Sequence, residues 1–422
     1  MNKIKITNLF FLLILVCTCN TKQGVSNVHD IVFKNVNLIP MTEEKIIEKI
    51  SVYISDGKIV AIAKFDDLKF QKNSTIINAE DKYLLPGFSD MHIHLFQMGA
   101  TEQANLYLAN GVTLVRVMFG NPEILKFKKM IRAGKILGPE IFTTGPLIDG
   151  KRPFWPGSFI LDRPEDVASA IQKMKEQGYD AIKVYDKISL KVYDQIMIEA
   201  KKQNIPVVGH VPYSSGLLHV INSGQHSIEH FTGYTKFPIN KEQIKATIES
   251  GIWKCPTLVI LFSNDYRHKA KEFSELAYIP PEFRNMWMKT NPYSLFFDQS
   301  KKILDTLYKN GANIVSGTDA GNPFTVPGFS LHREFEFMNE AGLTPYQVLL
   351  TTTVNPARML GISDRLGTIE EGKDADLVLL EKNTLEDIRN TRSIDGVMSK
   401  GTWLSKKTQQ KMLKKIEDKY KE

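Results

Sequence analysis

Apolar positions along the chain follow two patterns: short runs bounded by turn formers, and longer stretches with apolar residues at helical spacing. The first pattern reads as strands and the second as helices. From Ile31 to Tyr83 only the strand pattern occurs. Residues 31–39 open the series, and 51–54 and 58–62 flank the turn Ser55-Asp56-Gly57, a hairpin signal because Asp-Gly accepts the left-handed backbone of a tight turn. This stretch cannot close a core alone. The pattern returns at 376–380 and 395–403. Together the two ends predict one small composite β-sandwich domain, from 29–85 and 362–405, with a second domain inserted between them.

Within that insertion, residues 86–361, the two patterns alternate. Leu84-Leu85-Pro86-Gly87-Phe88 reads as a buried strand leading to Asp90-Met91-His92-Ile93-His94, where residues two apart point the same way. Strand-like runs follow at 111–118, 140–144, 181–185, 206–211, 227–230, 252–259 and 313–319. Amphipathic stretches separate them. One, 164–177, starts Asp162-Arg163-Pro164-Glu165-Asp166, with proline and acids where a first helical turn takes them. Strands alternating with helices over this length predict an α/β fold, a (β/α)8 TIM barrel. An open doubly wound sheet is the alternative, but no Gly-x-Gly-x-x-Gly follows any strand.

Composition alters this picture only at the ends. Over 422 residues, 42% apolar and 24% charged residues are ordinary for a globular protein with a sizeable core. The net charge of +7 is concentrated in a basic tail, 406–422, and near Lys3 and Lys5. The body is nearly balanced, so no nucleic-acid partner is expected. Lys3 and Lys5 precede an apolar run, 9–16, too short to span a bilayer. It ends in Val16-Cys17-Thr18-Cys19, which resembles the lipobox of bacterial lipoproteins. That implies a signal peptide over 1–18, lipidation at Cys19 (Cys17 is the alternative), a polar tether over 19–28, and an exported protein held at the cell envelope. A plain secretory signal is the runner-up. With Cys19 lipidated, Cys255 is the one thiol left and no internal disulfide can form.

The polar residues of the inserted domain gather at strand ends. His92 and His94 close the first strand, Lys183 lies in the fourth, His210 closes the fifth, His230 the sixth and Asp319 the eighth. The C-terminal face of a barrel is where such groups meet. His-x-His on a strand can chelate one metal ion, and neutral imidazole suits zinc. Each residue alone is as well explained as a cap or loop anchor. Six such groups at matching strand ends favour a metal site. Lys183, among Ala181, Ile182 and Val184, is costly to bury as an ammonium. Its neutral amine could take up carbon dioxide and become a bidentate carbamate; a buried ion pair with Asp319 or Glu229 is the alternative.

Leu85-Pro86-Gly87-Phe88-Ser89-Asp90-Met91-His92-Ile93-His94, Ile182-Lys183-Val184-Tyr185, Gly209-His210-Val211-Pro212, Ser227-Ile228-Glu229-His230 and Gly317-Thr318-Asp319-Ala320-Gly321 together resemble the amidohydrolase superfamily. So do Asn355-Pro356-Ala357-Arg358 and Gly367-Thr368-Ile369-Glu370-Glu371-Gly372. The likeness runs from about residue 30 to 405 and is nearest to imidazolonepropionase-like and prolidase-like members with a binuclear site. It implies a hydrolase of amide, cyclic amide or peptide-type C–N bonds in a small-molecule substrate, with two divalent metal ions, zinc by preference. His92, His94 and Asp319 would hold one ion, and His210 and His230 the other. A carbamate on Lys183 would bridge them. A hydroxide between the ions would attack the carbonyl, Asp319 would carry its proton to the leaving nitrogen, and Tyr185 would donate to the oxyanion.

Two departures limit the transfer. Arg116 is followed by Val117 rather than Asp, and the loop 145–157 lacks a histidine. Dipeptide specificity is therefore not carried over. Trp155 in that loop, Tyr234 and His332 are the expected substrate-binding residues, and His29, His219, His226 and His268 are expected to ligate nothing. Lactone, ester or phosphoester hydrolysis on the same site stays open, as does a non-catalytic binding lipoprotein on a degenerate barrel. So does a homo-oligomer.

Overall fold

Gly87 separates two sheets that the pattern of apolar residues runs together. The computed structural model describes residues 30–67, 73–95, 98–234, 236–290, 294 and 296–421, and in it strands occupy both sides of this glycine. A Cβ there would stand 2.2 Å from Thr113 Oγ1, so the chain passes only without a side chain. The expected signal peptide, the tether and Cys19 lie outside the described residues.

Five strands precede the insertion: β1 (Ile31–Leu38), β2 (Ile47–Ser55), β3 (Lys58–Ala63), β4 (Thr75–Asn78) and β5 (Tyr83–Pro86). Within it lie β6 (Phe88–Ile93), β7 (Val112–Val117), β8 (Glu140–Thr143), β9 (Ile148–Asp149) and β10 (Phe159–Ile160). They are followed by β11 (Ile182–Val184), β12 (Val207–Gly209), β13 (Ser227–Glu229) and β14 (Trp253–Cys255). After it come β15 (Leu377–Leu380), β16 (Ile394–Ser399) and β17 (Thr402–Ser405).

Both ends do meet in one β domain. β15 runs antiparallel to β5, from Leu377 opposite Pro86 to Leu380 opposite Tyr83. The β2–β3 hairpin turns through Asp56 and Gly57, both at positive φ, as its sequence requires. In place of two stacked sheets there is one hydrogen-bonded sheet, ordered β17-β16-β15-β5-β1-β2-β3 with β4 also paired to β1. It curls, because Phe33 of β1 meets Trp403 of β17 edge-to-face at 5.2 Å. Val52, Leu84, Leu377 and Met398 share the apolar interior so formed.

The insertion carries parallel strands with helices packed outside. β6-β7-β8 form one parallel set, and β9, β11, β12, β13 and β14 another, extended by β10. A bridge between Thr144 and Ala181 links the sets, and another joins Lys254 to Ile314. The expected eighth strand, 313–319, forms no regular ladder. It is held by single bonds: Met91 N to Ser316 O at 2.9 Å, Asp319 N to His92 O at 2.7 Å and His94 N to Ala320 O at 2.8 Å. These bring the last segment back against β6, which is barrel-like. The expected helix at 164–177 is present, as a 3-10 turn followed by Val167–Gln177. Its neighbour Leu190–Lys202 buries Val192, Tyr193, Ile196 and Ala200, the stripe that helical spacing places on one face.

The basic tail is not merely solvated. Lys406–Lys419 is a helix capped by Ser405, and Ile416 and Tyr420 bury against Leu106. Apolar residues at that spacing outweigh the lysines between them.

Candidate active site

His92 and His94 stand at and just beyond the C-terminal end of β6, His210 and His230 just beyond β12 and β13, Lys183 lies within β11, and Asp319 ends the ladder-less segment 313–319. His92 Nε2 lies 3.4 Å and His94 Nε2 2.9 Å from the same Asp319 Oδ1. Lys183 Nζ is 3.4 Å from His92 Nε2. Ring centroids are 4.6 Å apart for His92 and His230, and 5.1 Å for His230 and His210. The four imidazoles, the amine and the carboxylate therefore share one space. His230 and Asp319 both take positive φ, near 56° and 60°, which bends each side chain out of its strand direction at a cost in backbone strain.

Three imidazoles are oriented from behind. His92 Nδ1 faces Glu229 Oε2 at 2.8 Å, and His210 Nδ1 faces Asp186 Oδ1 at 2.8 Å. A carboxylate can only accept, so each ring holds its proton on Nδ1 and turns an Nε2 lone pair inward. His230 Nδ1 lies 2.5 Å from Thr257 Oγ1, whose own proton goes to Pro256 O at 2.7 Å. Thr257 must therefore accept from Nδ1 as well. This is the arrangement that orients metal-binding imidazoles. His210 Nε2 is buried and has no hydrogen-bond partner among the described residues. A donor set of neutral nitrogens with an acceptor-only carboxylate fits a divalent cation.

Electrostatics keep these groups in ligand form. Burial pushes His92 well below the usual imidazole range, lowers His94, and takes His230 down to about 3. Burial also brings Lys183 down to about 8, against the opposing pull of Asp319 and Glu229. Desolvation would raise Asp319, but the His94 hydrogen bond and the Lys183 ammonium hold it below the ordinary carboxylate value. No carboxylate forms an ion pair with Lys183 among the described residues, because Glu229 is engaged elsewhere. Arg116 Nη2 grips both its oxygens at 3.0 and 3.1 Å, Nη1 reaches Ser227 Oγ at 3.0 Å, and Nε reaches Met91 O at 2.6 Å.

A second group of ligand-capable atoms, His92, Glu229 and Cys255, lies close by. The guanidinium of Arg116 already supplies the positive charge there. Asp90 ties the eighth segment to β6, accepting from Thr318 N at 3.0 Å and Thr318 Oγ1 at 2.7 Å. Gly317 is required for that approach, since a Cβ on it would stand 2.4 Å from Cys255 Sγ.

Tyr185 lies against His210 with centroids 4.0 Å apart and ring planes tilted by 34°, and its oxygen receives Trp155 Nε1 at 3.0 Å. Both therefore sit beside the cluster. Tyr234 and His332, expected in the substrate pocket, are packed elsewhere. The Tyr234 hydroxyl pairs with Thr247 Oγ1 at 2.6 Å, and His332 Nδ1 meets Thr391 Oγ1 at 2.9 Å while its ring packs on Phe88 and Phe335. Neither a place just past a strand, as for Tyr234, nor one near the start of the helix Phe329–Glu340, as for His332, says by itself which way a side chain turns. His226 reaches Met359 O and His219 pairs with Asp194, both away from the cluster as expected. The residues missed are Arg116, Asp186, Glu229 and Thr257. Arg116 and Glu229 left a signal: each is a charged residue within a short, fully buried strand.

The profile of the Amidohydrolase family matches residues 83–404. Ochratoxinase of Aspergillus niger is 25% identical over 405 residues, covering 80% of this chain and 78% of the relative. A 5-methylthioadenosine/S-adenosylhomocysteine deaminase of Caldanaerobacter subterraneus subsp. tengcongensis is 23% identical, covering 84% and 85%. Among solved structures, bottromycin amidohydrolase superposes with a TM-score of 0.77 at 25% identity, covering 92% of this chain and 90% of the other.

Proposed function

Because the chain belongs to the amidohydrolase family, we infer that this enzyme is a metal-dependent hydrolase cleaving an amide, cyclic amide or peptide-type C–N bond of a small molecule. The observation that carries this reading is the tautomer set by Glu229, Asp186 and Thr257, which turns three Nε2 lone pairs inward beside Asp319. His92, His94 and Asp319 would hold one divalent cation, His210 and His230 a second, and Lys183 as a carbamate would join the two. Such a pair, zinc by preference, supplies Lewis acidity to a carbonyl and lowers the pKa of water.

The chain's own residues account for the proton and the orientation. Asp319, whose carboxylate is held ionised by the hydrogen bond from His94, accepts a proton and delivers it to the leaving nitrogen. Trp155 donates to the Tyr185 oxygen, an arrangement compatible with that phenol giving its own proton to a substrate oxygen. Export with a lipid at Cys19 belongs to the same proposal. No helix among the described residues is long and apolar enough to cross a membrane.

Metal analysis and a substrate screen test this together. Purified protein is expected to retain about two divalent ions per chain. It should hydrolyse at least one of a panel of N-acyl amino acids, dipeptides, cyclic amides and lactones, and His230→Ala should abolish turnover. Protein that binds no metal and turns over none of them overturns the reading.

A further inference from the structure

The loop between β9 and β10 is tied down at every level, yet it displays apolar rings to water. At its base β9 and β10 pair in parallel, with Phe159 N on Leu147 O at 2.7 Å and Leu161 N on Asp149 O at 3.0 Å. Inside, the fully buried Asp149 gathers three backbone donors: Gly150 N at 2.9 Å, Lys187 N at 2.7 Å and Phe154 N at 3.3 Å. Gly150 presses on the segment after β11 so closely that a Cβ would stand 2.1 Å from Lys187 O. Lys187 Nζ reaches back to Arg152 O at 2.7 Å. The result is a braced arch.

At its crest Phe154 is 56% exposed and Trp155 36% exposed, set edge-to-face at 5.2 Å. The one polar atom of Trp155 is engaged with Tyr185, so the pair presents ring faces. From there the rings continue inward: Phe154 to Tyr185 at 6.5 Å, Tyr185 to His210 at 4.0 Å, His210 to His230 at 5.1 Å. Apolar rings held in water on a braced loop are unfavourable until something covers them. A flat apolar group covers them best, because stacked and edge-to-face rings attract beyond the area they bury. The line of rings places such a group next to the metal-ligand candidates.

We propose that Phe154 and Trp155 form an aryl subsite, so that the substrate is a small amide carrying an aromatic ring close to its scissile bond. The subsite rests on the hydrolase reading for the word substrate, but not for its ability to bind a ring. Metal-loaded full-length protein is assayed with the N-acetyl and N-naphthoyl derivatives of one amino acid, and with N-acetyl-naphthylalanine. A naphthyl ketone with no scissile bond is titrated in parallel by calorimetry. An aryl derivative is expected to exceed its alkyl counterpart in kcat/KM by about tenfold or more. In the Phe154→Ala/Trp155→Ala variant that preference should shrink about tenfold, mainly through KM, and the ketone should bind about tenfold more weakly. Trp155→Phe, which keeps a ring and loses the indole donor, should retain most of both.

If the ratio and the ketone affinity are unchanged in the double variant, the subsite is wrong, even where hydrolysis proceeds. If the rings govern ketone binding while no amide is cleaved, the subsite stands and the hydrolase reading fails. A dimer that dissociates when Phe154 and Trp155 are removed, without any loss of ring affinity, assigns the arch to a second copy of the chain and overturns the subsite.

Discussion

Glu229 Oε2 stands 2.8 Å from His92 Nδ1, while both Glu229 oxygens also receive Arg116. One buried carboxylate thus fixes the tautomer of the innermost imidazole and is neutralised by a guanidinium from another strand. Glu229→Gln is expected to lower metal affinity about 10–100-fold, measured by competition with a chelator. It should also destabilise the fold by about 3–5 kcal/mol, because Arg116 loses its anion. The double change Arg116→Met/Glu229→Leu separates the two effects. It should recover stability in denaturant unfolding without recovering metal affinity. Full recovery of both would remove the orienting role.

Thr257 acts on His230 by accepting its Nδ1 proton. Thr257→Val, nearly the same shape without the oxygen, is expected to weaken metal binding by about tenfold and leave the fold intact. Thr257→Ser restores the acceptor and should restore the affinity. Equal loss in both variants points to packing rather than to the hydrogen bond.

Lys254 is fully buried on β14, and its Nζ has no hydrogen-bond partner among the described residues. Burial pushes its pKa well below the usual lysine range. The nearest aromatic surface is the Tyr234 ring, 5.1 Å away. Removing an unsatisfied buried polar atom should be favourable, so Lys254→Met is expected to raise unfolding stability by about 1–3 kcal/mol. A clear loss of stability would mean that the amine has a partner that matters to the fold.

Glu334 links stability to pH. Desolvation raises its pKa from 4.5 to about 8, against the backbone hydrogen bonds it accepts from Leu258 and Val259. Between those two values the folded state keeps the proton that the unfolded chain has released. Stability should therefore fall as pH rises from about 4.5 to about 8 and level off above. The size is on the order of a few kcal/mol. Glu334→Gln keeps an acceptor for Val259 and cannot titrate. The difference in unfolding free energy between pH 5 and pH 8, taken from urea titrations, should be smaller in the variant by that amount; an identical difference would rule the linkage out.

Apart from β4, β9, β10 and the ladder expected at 313–319, the order of strands, the partnership of the two ends and the set of inward-facing ligand candidates were readable along the chain. Each depends on local periodicity or on what a strand end presents, and these are properties of neighbouring residues. His92, His94, Lys183, His210, His230 and Asp319 converge because a parallel barrel-like sheet delivers strand ends to one face. Tertiary structure decided what stands behind them. Glu229 lies 137 residues from His92, so its partnership has no local signature. The same holds for Asp186 with His210 and Thr257 with His230. The curl of the β sheet, the packing of Ile416 and Tyr420 on Leu106, and the turning of Tyr234 and His332 away from the cluster were likewise decided by packing. A residue type states which chemistry is available, and only the fold sets the partner that holds it in one tautomer, one charge state and one direction.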